Sequence, residues 1–303
     1  MLPSARTIDN DSAQKQLSAV LTHVSEGRLK EAAEICTAVI AELPRDGTAQ
    51  ELLVKAYERL IYVRESQTLE GRAFRLFRQY LRDCAPACDP AYDDEYTEGL
   101  RATRSSMVPL RRRERFYCLV RLLSEISHLD GLVAECGCFR GLSSYVLCRS
   151  IKRADSGFDG WGYRIFDSFA GLSVPGPEDA YDPSAPGAAR HELMMQPGAF
   201  AAALEVVKEA LAAFPRIEYF PGWMPEAFPD EPDARYRFVH LDVDLYQPTR
   251  DSLDYFYPRL VPGGRIVCDD YNWPGGRMAV EEFCGQVKVG YTITQHKQAL
   301  IER

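Results

Sequence analysis

No stretch of this 303-residue chain approaches the roughly 18 consecutive apolar residues that a membrane-spanning helix requires. The opening residues, MLPSARTIDNDSAQK, contain no apolar h-region, which argues against a secretory signal. Positive charge is in short supply. The chain has 36 Lys and Arg against 44 Asp and Glu, a formal net charge of −8. Polyanion binders need clustered cations, so nucleic acid and anionic membranes are excluded as general partners. The basic run RRRER at 111–115 is too short to alter this and is expected on the solvated face of a helix. Metal cages of the zinc type are also missing. CAPAC at 84–88 is followed by no second Cys or His pair that would close a tetrahedral site. The nine cysteines are an odd number, and Cys136 and Cys148 lie in apolar segments. They read as packed thiols of a reduced, cytoplasmic protein.

What is present is an ordinary globular composition, 46% hydrophobic and 26% charged. Residues 1–85 read as helical. Gly27, Leu29, Ala32, Cys36, Val39 and Pro44 follow the offsets of one tetratricopeptide unit. Arrays of such units need several repeats, so this segment is expected to cap the main domain or to make a dimer contact. The Pro-, Asp- and Gly-rich stretch 85–99 reads as a linker or loop.

The remainder, 86–303, alternates strand and helix patterns. LVAEC (132–136), YRIFD (163–167), RIEYF (216–220), FVHLDV (238–243) and RIVCDD (265–270) are the expected strands. YTITQHKQALIER is expected to supply a closing hairpin at the sheet edge. This order predicts an α/β fold with a doubly wound, mostly parallel, Rossmann-like sheet that binds ligands at the carboxyl ends of its strands. The Pro- and Gly-rich segment 170–200 is long for a connection and reads as a lid over an acceptor.

ECGCFRGLSS lies between the first strand and its helix. Gly137 and Gly141 permit a tight turn and close approach to a ligand, and Ser143 and Ser144 stand at the helix start. The spacing G-x-x-x-G departs from the dinucleotide fingerprint G-x-G-x-x-G. Asp167, at the end of the second strand in FDSFAGL, is placed to accept hydrogen bonds from a ribose diol. Gly222 and Trp223 end the third strand, where a flat aromatic is suited to wall an adenine ring.

VHLDVDLYQPT presents a different problem. Asp242 and Asp244 are expected to point to one side of an extended segment, together with His240. Asp269 and Asp270 end the neighbouring strand. Several carboxylates at close range repel unless a cation lies among them, and an oxygen donor set favours Mg²⁺, Mn²⁺ or Ca²⁺.

With these motifs the chain resembles the macrocin O-methyltransferase (TylF-like) family. The resemblance rests on ECGCFRGLSS, FDSFAGL, LDVDLYQPTRDSLDYFYPRLVPGGRIVCDDY and RMAVEEF, and it spans about two thirds of the chain. It implies a class I methyltransferase fold that uses S-adenosylmethionine and Mg²⁺ (or Mn²⁺) to methylate a hydroxyl of a sugar or glycosylated natural product. It further implies a metal held by Asp242, Asp269 and Asp270, with Asp244 as general base. Glu135, Gly137, Arg140, Gly141, Ser143, Ser144, Asp167 and Ser168 are then expected around the cofactor, with Gly222 and Trp223. The family usually has glycine between the two aspartates, where this chain has Val243. His240 or a coordinated water stands as the alternative base. A catechol-like phenolic acceptor, or a helical scaffold with a vestigial enzyme domain, are the competing readings. A homo-oligomer, with a dimer as the simplest case, is expected. Asp269→Asn is expected to abolish turnover without disturbing the fold.

Overall fold

The computed structural model describes residues 88–105, 112–184, 191–192 and 194–303, with a few isolated positions before residue 36. The tetratricopeptide-like reading of 1–85 therefore lies outside the described residues. By contacts the chain divides into two compact units, residues 1–100 with 105–114 and residues 101–104 with 115–303.

The described helices are α1 (Pro90–Ala102), α2 (Arg112–Glu125), α3 (Leu142–Ala154), α4 (Leu204–Ala210), α5 (Tyr246–Phe256) and α6 (Pro274–Val287). The strands are β1 (Leu132–Cys136), β2 (Tyr163–Asp167), β3 (Glu218–Pro221), β4 (Tyr236–Leu241), β5 (Leu260–Cys268), β6 (Tyr291–Ile293) and β7 (Ala299–Glu302). In the first unit, Arg113 forms a paired contact with Asp93, Nε to Oδ1 at 2.7 Å and the second nitrogen to Oδ2 at 2.9 Å.

The second unit is built on a seven-stranded sheet of order β3-β2-β1-β4-β5-β7-β6. β1 to β5 are mutually parallel, whereas β7 pairs antiparallel with β5 and β6 antiparallel with β7. The doubly wound expectation holds, and so does the C-terminal hairpin. Its second strand enters the sheet beside β5, which leaves β6 at the edge.

The central strands carry almost unbroken apolar runs because helices cover both faces of a parallel sheet. Val133, Ala134, Cys136, Ile165, Phe166, Phe238, Val239, Leu241, Ile266 and Val267 are all buried. Against one face α5 places Phe256, which meets the rings of Phe166, Phe228, Tyr236 and Tyr255 at centroid separations of 4.9 to 5.5 Å. These near-perpendicular contacts suit the aromatic quadrupole.

Two strands end earlier than their sequence patterns suggest. β4 stops at Leu241 and β5 at Cys268, so Asp242, Asp269 and Asp270 lie just past the strand ends. The ladder nonetheless runs on by one residue. Asp242 N–H donates to the Cys136 carbonyl at 2.9 Å, and Asp269 N–H to the Leu241 carbonyl at 2.8 Å. The hydrogen bonds that hold the sheet thus also hold the acidic loops together.

Phe256→Ala should therefore cost about 3–5 kcal/mol, because it removes the ring shared by four aromatic neighbours and leaves a cavity. Urea denaturation measures this, and a loss below about 1 kcal/mol would contradict the packing described.

Candidate active site at the carboxyl ends of the central strands

Glu135, midway across the sheet on β1, is fully buried. Its Oε1 lies 2.8 Å from His240 Nδ1 on β4, and its Oε2 accepts a short hydrogen bond from Ser144 Oγ on α3. Tyr163 OH on β2 reaches the same serine at 3.3 Å. On the other side of the imidazole, His240 Nε2 is 3.6 Å from Asp269 Oδ1. Asp269 in turn accepts from Gln298 Nε2 at 2.6 Å and pairs with an Arg115 guanidinium nitrogen at 2.8 Å. A row of polar side chains therefore runs across β2, β1 and β4 to the residue just past β5.

Burial by itself would lower the His240 pKa. The nearby Asp269 and Glu135 carboxylates, at 3.6 and 2.8 Å, outweigh it and raise the pKa to about 10. Burial works in the opposite sense on Asp269, yet Arg115, His240 and Gln298 hold its carboxyl down at about 2. His240 is thus an imidazolium locked between two carboxylates.

The other acids beside this row have no direct partner of that kind, and the more distant charge of Arg115 relieves them only in part. Burial and the charge of Asp269 raise Asp242 to about 6. Burial and the charges of Asp242 and Asp269 raise Asp244 to about 8. Asp270 is pushed well above the carboxylate range by burial and by Asp244, and its Oδ2 accepts the Asp244 N–H at 2.9 Å. Arg115 faces all four aspartates but pairs directly with only Asp269.

Ligand atoms of His240, Asp242 and Asp269 lie within 4.8 Å of one another. Of the expected metal set, this grouping brings together Asp242 and Asp269. Asp270 is instead occupied with the Asp244 backbone. The even alternation from His240 through Asp244 does not survive, because the strand has ended and Asp244 has φ +60. Unrelieved repulsion among Asp242, Asp244 and Asp270, next to an oxygen-rich donor set, fits a hard divalent cation.

The glycine turn abuts this cluster. An added Cβ on Gly137, whose φ is +79, would sit on the Asp242 carbonyl and press on Val243 Cγ1 at 3.3 Å. Gly141 takes φ +84 at the start of α3. Asp167 Oδ2 accepts the N–H groups of Cys138 (2.7 Å) and Phe139 (3.1 Å), and Oδ1 accepts that of Phe169 (2.7 Å). Its first role here is to shape the turn, and about one of a carboxylate's four acceptor positions is left over.

Ser168 Oγ donates to the Gly171 carbonyl at 2.7 Å, which closes a tight loop. Ser143 is buried at the start of α3, and Ser144 is bonded inward to Glu135. Arg140 donates to the Arg104 carbonyl at 2.5 Å and lies over the Phe139 ring. Gly222 N–H donates to the Asp167 carbonyl at 2.9 Å, and Trp223 next to it is half exposed. The indole N–H of Trp223 points to the Gly171 carbonyl at 3.2 Å.

Two contributors escaped the sequence reading. The described part of the basic run, 112–115, is not a solvated face, since Arg113 is 1% exposed and Arg115 binds Asp269. Gln298 sits in the hairpin with no local signal of its partner. The burial of Asp269 also corrects the expectation that Asp269→Asn spares the fold. An amide there leaves Arg115 without its direct counter-charge and His240 with Glu135 alone, so a loss of about 3–5 kcal/mol is expected alongside lost activity.

Two further outcomes follow. Gly137→Ala should abolish cofactor binding, read by calorimetry, because the added methyl can be placed only by moving the Asp242 backbone. In chelator, stability should fall as pH rises from about 7 to about 9. The Asp244 carboxyl, raised in the folded state, favours folding only while protonated, and the raised His240 loses its contribution as it deprotonates, so both signs agree. Added Mg²⁺ should flatten the fall in melting temperature, and an unchanged curve would remove the cation from this cluster.

A family model described as macrocin-O-methyltransferase (TylF) matches residues 94–298. A Streptomyces olivaceus protein named 8-demethyl-8-(2,3-dimethoxy-alpha-L-rhamnosyl)-tetracenomycin-C 4'-O-methyltransferase is 31% identical over 199 residues, 63% of this chain and 71% of that one. Demethyldecarbamoylnovobiocin O-methyltransferase of Streptomyces niveus is 27% identical over 64% of this chain and 79% of its own. Among solved structures, the O-methyltransferase NovP superposes with TM-score 0.51 at 24% identity, covering 77% of this chain and 98% of that one. The calicheamicin methyltransferase CalS11 gives TM-score 0.53 at 17% identity, covering 72% and 94%. Both structures share the fold. The chain belongs to the macrocin O-methyltransferase (TylF) family, a family of S-adenosylmethionine-dependent O-methyltransferases.

Proposed function

We propose that this enzyme transfers the methyl group of S-adenosylmethionine to a hydroxyl of a sugar carried by a glycosylated natural product, with Mg²⁺ or Mn²⁺ as cofactor. One observation carries the reading: Asp242 and Asp269 offer carboxylate oxygens within 4.8 Å of one another just past β4 and β5, and the Asp242 carbonyl lies directly against Gly137 of the turn that follows β1. The names of the relatives support the acceptor class, since that of the tetracenomycin enzyme specifies a position on a rhamnosyl group.

In this reading the turn from Gly137 to Gly141 and the start of α3 receive the cofactor. Arg140 and Ser143 flank it, the spare acceptor position of Asp167 takes a ribose hydroxyl, and Trp223 beside Gly222 lies along the adenine. Glu135, Ser144 and Ser168 act from behind, by fixing the elements that touch it. Asp242 and Asp269, with Asp270, would hold the divalent ion. When bound, that ion supplies Lewis acidity and a template for the acceptor's oxygens.

Asp244 takes the acceptor's proton. A carboxyl whose pKa lies near neutrality is suited to this, because it combines an available base form with useful proton affinity. The acceptor oxygen bonds to the methyl carbon as the carbon–sulfur bond breaks, and S-adenosylhomocysteine leaves with the electron pair. The His240 imidazolium keeps Asp269 ionised and in place, and every residue given a role here lies in the unit formed by residues 101–104 and 115–303.

The test is transfer of labelled methyl to a panel of rhamnosylated and deoxysugar-bearing compounds, with catechols as the contrasting panel. Transfer to glycosides alone is expected, and transfer to catechols alone would overturn the acceptor class. Asp244→Asn should lower kcat by about 10²–10⁴-fold while the calorimetric Kd for S-adenosylmethionine stays within about twofold. Full activity in that variant would dismiss Asp244 as the base.

A further inference from the structure

The insertion after β2 is closed at its neck by two backbone hydrogen bonds, Leu172 N–H to the Ala199 carbonyl and Gly198 N–H to the Leu172 carbonyl, both 2.9 Å. Those bonds hold the two ends of the insertion together. Its described part carries one buried carboxylate, Asp179, which is 6% exposed. Asp179 Oδ2 accepts the Gly176 N–H at 2.8 Å within the loop. Its Oδ1 leaves the loop and accepts the Tyr246 N–H at 2.7 Å. Tyr246 opens α5 and follows Asp244 by two residues. Space for the carboxylate exists because position 275 is glycine, where an added Cβ would sit on Asp179 Oδ1.

The same insertion also reaches the second acidic loop. His191 stacks on Tyr181 at 4.8 Å, and Trp273 packs against His191 at 5.0 Å. Trp273 follows Asp270 by three residues, and its N–H donates to the Asp270 carbonyl at 2.9 Å. The insertion thus grips both loops that carry the acidic cluster.

The backbone between these grips has little freedom. Asp244 N–H is held by Asp270, Tyr246 N–H by Asp179, and Asp244 itself sits at φ +60, a region that non-glycine residues occupy at a cost. We propose that Asp179 is a positioning residue that pins Tyr246 N–H and so fixes the direction in which Asp244 presents its carboxyl to the acceptor. The proposal rests on the reading of Asp244 as the base. It makes the insertion part of the catalytic geometry. A helix cap that acts only on stability is the alternative the experiment must exclude.

Asp179→Ala and Asp179→Asn in the full chain separate the two, because the amide oxygen of Asn can still accept the Tyr246 N–H. Hydrogen exchange, which needs no substrate, should speed up by about tenfold at residues 244–247 in Asp179→Ala, as expected for the loss of one buried hydrogen bond. With an accepted glycoside, kcat should fall by about 10–100-fold, and KM for S-adenosylmethionine should stay within about twofold. Asp179→Asn should recover most of both.

Unchanged exchange at 244–247 overturns the proposal, because the bond then holds nothing. Faster exchange with unchanged kcat also overturns it and leaves a helix cap. Recovery of slow exchange at 244–247 in Asp179→Asn without recovery of kcat also overturns it, because the hydrogen bond is then restored and the chemistry is not. If the wild-type enzyme methylates no glycoside, the proposed function falls first, and exchange alone then decides whether Asp179 pins the segment.

Discussion

The pairing of Glu135, His240, Asp269 and Arg115 is the constraint on which the site depends. Two carboxylates and an imidazole have been taken fully out of water inside a sheet that is otherwise apolar. A buried charge is costly when alone and tolerable when its partner is close and its remaining valences are satisfied. Here each acid meets a cation. Glu135 and Asp269 share the imidazolium, Arg115 completes Asp269, and Ser144 and Gln298 take further acceptor positions. Since these residues come from β1, β4, the end of β5, α2, α3 and the C-terminal hairpin, the chain forms only when the sheet is correctly assembled. It links the register of the fold to the placement of the chemistry.

That pairing also explains what is left unpaired. Had His240 and Arg115 neutralised the whole cluster, a divalent ion would have little to gain. They are committed instead to Asp269 and Glu135, and Asp242, Asp244 and Asp270 keep raised proton affinities through burial and mutual repulsion. The protein thereby holds one carboxylate firmly ionised beside others that either bind protons or share a cation. Such a division of labour suits a site that must grip an ion and also accept a proton, because the two tasks need carboxyls of different basicity.

The sheet was legible because its strands are apolar runs with glycine or acidic punctuation, and LVAEC and YRIFD match β1 and β2 residue for residue. Asp242, Asp269 and Asp270 were legible as carboxylates at strand ends for the same reason. The division of roles among them was not. Period-two alternation assumes that the strand continues, whereas β4 ends at Leu241 and Asp244 turns into positive φ. Nor does any local pattern connect Arg115 with Asp269 or Asp179 with Tyr246, since those contacts exist only after long segments have closed on one another. Arg115 looked like part of a solvated run because its neighbours are charged, although its partner lies across the fold.

Val243, between the two aspartates, is a β-branched residue that is 6% exposed and belongs to the core. Valine resists positive φ, because its branched side chain crowds the following carbonyl. The bend that ends the strand is found at Asp244, a residue type that tolerates the left-handed region better than most. The Val243 side chain faces the turn, where only glycine at position 137 leaves it room. A strained bend on the proposed base is stable only if its neighbours hold it, and the Asp270 carboxylate on one side and Asp179 on the other supply those holds. Valine between the aspartates, glycine in the turn and the insertion's buried carboxylate are therefore linked solutions to one backbone problem.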